Sequence, residues 1–124
     1  EFIVTVGVPG AHFHPLPPTR LLDSRFGTAP GWSGKLTSTT PRSMVVTGGA
    51  VPGSASAVIM NVTVTGVAGA GYLTVYPGGT AQPNASNLNY VVGKDTANFV
   101  VSRLGADGSI SARTKSRVSA WISR

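Results

Sequence analysis

Hydrophobic and polar residues alternate most regularly between Ala57 and Pro77. Val58, Met60, Val62 and Val64 fall on one face of an extended chain, and Asn61, Thr63 and Thr65 on the other. Period-two alternation of β-branched residues predicts a half-buried strand. Gly66, Gly69 and Gly71 interrupt the pattern, and Tyr72-Leu73-Thr74-Val75-Tyr76 resumes it. Glycine enters tight-loop conformations at little steric cost, so the stretch reads as one long β-hairpin. A second hairpin is expected from Ala97–Ser102 to Ser109–Arg113, turned at Gly105-Ala106-Asp107-Gly108.

The rest of the chain carries shorter versions of the same pattern. Phe2 to Val8 alternates and stops at Pro9-Gly10. His12 to Pro18 holds three prolines in four residues, which fix an extended strap. Residues 26–42 are rich in Gly, Pro, Ser and Thr around Trp32 and read as a long irregular loop. Met44–Thr47, Asn87–Val92 and a last strand over 117–123 complete the list, separated by Gly48-Gly49, Pro77-Gly78-Gly79 and Gly93-Lys94-Asp95. About eight or nine short strands at turn spacings of ~8–12 residues, with no useful helical period, predict an all-β fold. The expected architecture is an antiparallel β-sandwich, jelly-roll-like, formed as a single domain over 1–124.

Composition narrows the function classes. The 124 residues include 16 Gly and 9 Pro but no Cys, which excludes disulfides and Cys-based zinc or redox centres. Only 11% of residues are charged against 41% hydrophobic, a balance that suits an extracellular or assembled β-protein. The net charge of +6 arises because acids are scarce: ten Lys and Arg face four Asp and Glu. Most of the bases are scattered, and only Arg113, Lys115 and Arg117 form a cluster. Specific nucleic-acid binding calls for a denser basic stripe with interleaved aromatics, so the charge points instead to mild affinity for anionic polymers such as cell-wall or capsular polysaccharide. No apolar run reaches the ~18 residues of a membrane span.

Candidate chemistry is sparse. Phosphate-binding Gly-Lys-Ser/Thr loops, Gly-x-Ser-x-Gly elbows, His-Glu-x-x-His zinc motifs and EF-hand loops are absent. His12 and His14 share a side of the extended strap, but no third ligand lies nearby, and no cofactor is expected. Asp23 sits between Arg20 and Arg25 and most simply accepts bidentate hydrogen bonds from a guanidinium or caps a turn. A catalytic reading would need a second carboxylate in reach. Glu1, Asp95 and Asp107 lie at a terminus or in turn-like contexts. Asn87, Asn89 and Asn98 flank strands and are expected to bond backbone groups there. Trp32 either stacks on a sugar ring or covers the core edge.

Several pieces together resemble a module of secreted actinobacterial proteins, which is found appended to peptidoglycan amidases, serine peptidases and polysaccharide-active enzymes. They are Phe13–Leu16, Pro18–Arg25, Val51-Pro52, Ala57-Val58, Asn61–Thr65, Gly71–Pro77, Ser86–Tyr90 and Ala97-Asn98, covering most of 12–112. The resemblance implies a secreted, non-catalytic β-module at the cell surface or outside the cell, and carries over no binding residues. The ends depart from it. The module's usual closing strand has a Val-Asp-Val-x-Gly-Tyr-Phe-like ending, whereas Val118–Arg124 lacks the Asp-Gly-Tyr and Phe2–Gly7 looks similar to that closing strand.

Two functions follow as expectations. One is attachment to anionic or neutral polysaccharide through Trp32, Trp121, Arg113, Lys115 and Arg117. The other is a self-assembling subunit of a surface layer, filament or virion, a homo-oligomer in which terminal strands at 2–8 and 117–123 are exchanged between copies. A hydrolase would need convergent acids or a nucleophile dyad that these residues do not supply.

Overall fold

A computed structural model describes residues 12–17, 20–25, 34–37, 40–49, 51–115 and 119–123. Eight strands are described: β1 (Arg20–Asp23), β2 (Arg42–Val45), β3 (Ala57–Thr65), β4 (Gly71–Pro77), β5 (Leu88–Tyr90), β6 (Thr96–Arg103), β7 (Ser109–Thr114) and β8 (Ser119–Ser123). The expected strand at Phe2–Val8 lies outside the described residues.

Pairing follows one rule. β1 pairs with β8, β2 with β7, β3 with β6 and β4 with β5, all antiparallel. The chain therefore runs out as one long ribbon and returns along itself. Rolling that ribbon adds the pairs β3–β8 and β4–β7. Two four-stranded sheets result: sheet I, ordered β1-β8-β3-β6, and sheet II, ordered β2-β7-β4-β5. This is the strand order of a jelly roll, within the all-β sandwich class expected from the strand count and turn spacing.

The two expected hairpins are not hairpins. β3 lies in sheet I and β4 in sheet II, so residues 66–70 cross between sheets. β6 and β7 are likewise divided, and residues 104–108 make the second crossing. Alternation tells which face of a strand is buried but not which strand lies beside it, and a glycine-rich connection serves either purpose. β4 and β5 form the one sequential pair among the described strands, joined by residues 78–87.

The second crossing is held by side-chain and backbone bonds. The Asp107 carboxylate accepts from the Ser109 backbone N–H at 3.1 Å and from its hydroxyl at 2.5 Å. These bonds hold the Asp107 carboxyl below the usual range. The Ser109 carbonyl accepts from the Gly105 N–H at 2.8 Å and from the Gly78 N–H at 2.9 Å, joining the crossing to the end of β4. At Gly105 a Cβ would run into the Gly78 carbonyl, so only glycine allows this approach.

Both sheets turn their alternating apolar rows inward. Val58, Met60, Val62 and Val64 of β3 and Val100 of β6 meet Met44, Leu73, Val75, Leu88, Tyr90, Ile110 and Ala112 of sheet II. One contiguous core results, with removal of each large side chain from water stabilising the fold by about 1.5–3 kcal/mol. Leu36, read from sequence as part of an irregular loop, is fully buried in this core and anchors the connection before β2. Beside it, the Lys35 ammonium donates to the Gly66 carbonyl at 3.0 Å, tying that connection to the first crossing.

Candidate functional site

On β4 the alternation that buries Leu73 and Val75 turns Tyr72, Thr74 and Tyr76 to the outer face of sheet II. The β4–β5 connection then folds back over part of that face. Thr74 Oγ1 donates to the Ala85 carbonyl at 2.6 Å, and the Val75 N–H donates to Asn87 Oδ1 at 2.7 Å. Thr74 and Tyr76 are covered, while Tyr72 stays 38% exposed at the rim. Between Tyr72 and the connection opens a cleft of about 420 Å³, lined by Tyr72, Gln82, Pro83, Asn84, Ala85 and Ser86.

β7 brings two of the cations expected from sequence to this face. Arg113 is in register with Thr74, and its Nη1 donates to Gln82 Oε1 at 3.3 Å. The Lys115 N–H donates to the Tyr72 carbonyl at 2.9 Å, which seats Lys115 next to Tyr72. The face thus combines a partly exposed aromatic ring, two side-chain amides and two cations. An aromatic ring covers the C–H face of a sugar, amides pair with hydroxyls, and a guanidinium binds a carboxylate or phosphate in a fork.

The other predicted residues do not join this group. Trp121 is on β8 in sheet I, in register with Thr63 on one side and Asp23 on the other. Trp32 and Arg117 lie outside the described residues. His12 and His14 are exposed, and among the described residues no three His, Cys, Asp or Glu side chains gather as a metal site would require. Sequence reasoning misses Tyr72, Gln82 and Asn84. Tyr72 reads as scaffold of the supposed hairpin. The signal that could find the other two is the polar run Thr80–Ser86, too long and too hydrophilic for a minimal turn.

The second polar cluster lies at the end of β1. Asp23 is buried, with its side chain 1% exposed. Its Oδ1 accepts from the Arg25 N–H at 3.1 Å and from Arg25 Nε at 2.9 Å. Its Oδ2 accepts from Arg25 Nη2 at 2.7 Å and from Arg20 Nη1 at 3.0 Å. The bidentate fork and the capped turn expected from sequence are both present. Hydrogen bonding from the Arg25 side chain, opposed by burial and helped by the backbone bond and both positive charges, holds the Asp23 carboxyl below the usual range. A carboxylate kept ionised and saturated with donors is poorly suited to proton transfer near neutral pH.

The chain matches no protein-family profile and no curated protein sequence. No helix among the described residues is long and apolar enough to cross a membrane.

Proposed function

We propose that the chain is a non-catalytic extracellular module that attaches to cell-wall or other extracellular polysaccharide through the Tyr72–Arg113 face of sheet II. The observation that carries this reading is the cleft in which Tyr72, Gln82 and Asn84 line one space, with Arg113 bonded to Gln82 at its edge. Sugar binding needs a ring to stack on and planar hydrogen-bonding groups beside it, and this face supplies both. Arg113 and Lys115 favour an acidic glycan, because both stand on or next to the strand that pairs with β4, Arg113 bonded to Gln82 and Lys115 held to Tyr72 through its backbone. The sequence resemblance to modules of secreted actinobacterial proteins implies the extracellular, non-catalytic part of this reading and supplies no binding residues.

Retention of the purified chain on insoluble cell wall and on acidic and neutral polysaccharides tests the proposal. Tyr72→Ala is expected to weaken retention at least tenfold at low salt, and Arg113→Ala to flatten its salt dependence. No retention of the wild-type chain, or retention unchanged in Tyr72→Ala, overturns it.

A second reading, a self-assembling structural subunit, is favoured by a different observation: Phe99 and Val101 are exposed along β6, and Val91 and Val92 just after β5. Exchange of the segment 117–123 belongs to this reading. Ser119–Ser123 fills the slot between β1 and β3, so exchange would seat a neighbour's copy in that interior position.

A further inference from the structure

Edge strands expose unpaired backbone groups, and proteins ordinarily guard them with shortness, bulges, prolines or charges. β6 has few of these guards. It spans eight residues, Thr96–Arg103, without proline, and pairs with β3 in unbroken register from Val64↔Thr96 to Ala57↔Arg103. Among the described strands nothing lies on its other side. Its outer row is Ala97, Phe99, Val101 and Arg103, with Phe99 69% exposed. Asp95 stands one residue before the strand, exposed and held by a hydrogen bond of 2.6 Å from Thr65 Oγ1.

We infer that β6 pairs with β6 of a second copy of this chain, antiparallel about a two-fold axis through Phe99. Cross-strand partners must share a face, so the outer row of one copy meets the outer row of the other. With Phe99 opposite Phe99, Val101 falls opposite Ala97, and Arg103 falls opposite Asp95 at both ends. The apolar residues meet at the centre and opposite charges close the two ends. One strand thus carries both halves of a self-complementary surface, which is what an isologous two-fold contact requires. A register with Phe99 opposite Val101 instead sets Arg103 against Ala97 and leaves the charges unmatched. The pairing joins the two copies of sheet I into one eight-stranded sheet, β1-β8-β3-β6 continued by β6-β3-β8-β1. It leaves the Tyr72 face of sheet II uncovered, and does not depend on the glycan reading. A single pair of strands is a small interface, so the dimer is expected to be weak and to form only as concentration rises.

Sedimentation velocity of the whole chain from about 1 μM to 1 mM reads this directly. The wild type is expected to pass from monomer to dimer, and Phe99→Lys to stay monomeric with an unchanged circular dichroism spectrum. Arg103→Glu is expected to weaken the dimer at least tenfold, and the double change Arg103→Glu with Asp95→Arg to restore it. Because the chain has no cysteine, a Phe99→Cys variant carries a single thiol, placed on the two-fold axis. Under mild oxidation it should form a disulfide-linked dimer much faster than a Val101→Cys variant does. A wild type that stays monomeric throughout overturns the inference. So does a dimer indifferent to Phe99→Lys and to charge reversal. Dimerisation that appears only after deletion of Phe2–Val8 also overturns it, because the edge is then covered by the chain's own first segment.

Discussion

The two edges of sheet I are opposites. β1 is four residues long, its register with β8 shifts between Arg20 and Leu22, and it ends in the Asp23 carboxylate held by Arg20 and Arg25. β6 is twice that length, regular, and largely uncharged until its last residue. A carboxylate and two guanidiniums at the end of a short bulged strand resist addition of another strand, because docking there would strip water from charges already paired. Along β6 the charges stand only at the two ends, at Asp95 and Arg103, so the middle of this edge asks for no such desolvation. Among the described residues, one sheet thus has a closed side and an open side, and the difference lies in where its charges sit.

If the ion cluster secures β1, its removal should have the largest effect on the fold. Asp23→Ala removes the acceptor that two guanidiniums share and frees the turn after β1. The expected cost is about 2–3 kcal/mol, below the usual value for a buried pair because Arg20 and Arg25 reach solvent. The midpoint of thermal unfolding should fall by roughly 6–10 °C. A fall of less than about 2 °C would show that packing of β1 on β8 alone holds this edge.

Acid should remove the same contribution without mutation. The folded-state pKa of Asp23 is lowered, so its stabilisation is fully present above the unfolded-state value of about 3.9 and is lost as pH falls through the folded-state value. Asp107 is lowered as well and contributes in the same direction. The difference between wild type and Asp23→Ala isolates the β1 cluster. In denaturant titrations that difference should be constant from about pH 5 to 7 and shrink steadily below about pH 4. A difference unchanged at about pH 2 would assign the stabilisation to shape rather than charge.

The ion cluster that closes the β1 edge was legible in the sequence, although no strand was expected over Arg20–Asp23, and the open edge was not legible. Arg20-Leu21-Leu22-Asp23-Ser24-Arg25 places an acid within reach of two arginines close by in the chain, so local chemistry alone predicts the fork. Asn87 and Asn98 follow the same logic: Asn87 Oδ1 accepts from the backbone of β4, and Asn98 Nδ2 donates to the Asn87 carbonyl at 2.9 Å. What lay beyond reach was non-local. The alternation of β3 and β4 identifies two strands, but their assignment to different sheets depends on β6, β8, β5 and β7, which arrive later in the chain. The same gap hid the candidate site. Arg113 and Lys115 were visible as a basic cluster, yet their meeting with Tyr72 depends on β7 lying beside β4, and the cleft depends on how residues 78–87 fold back. Trp121 shows the converse: near to Arg113 in sequence, it belongs to the other sheet.

The smallest effect on the fold should come from the open edge, and this tests the comparison most sharply. Phe99 is 69% exposed and contributes little to the core of its own chain. Replacement by Thr puts a β-branched residue at a strand position, so the monomer should lose less than about 0.5 kcal/mol. The unfolding midpoint of a dilute sample should move by under about 2 °C, against the larger fall expected for Asp23→Ala. At high concentration the pattern should reverse. There the wild type gains stability from association by mass action, Phe99→Thr gains less, and the gap between their midpoints widens with concentration. A gap independent of concentration would mean that Phe99 serves the monomer, and the two edges would then differ in chemistry without differing in role.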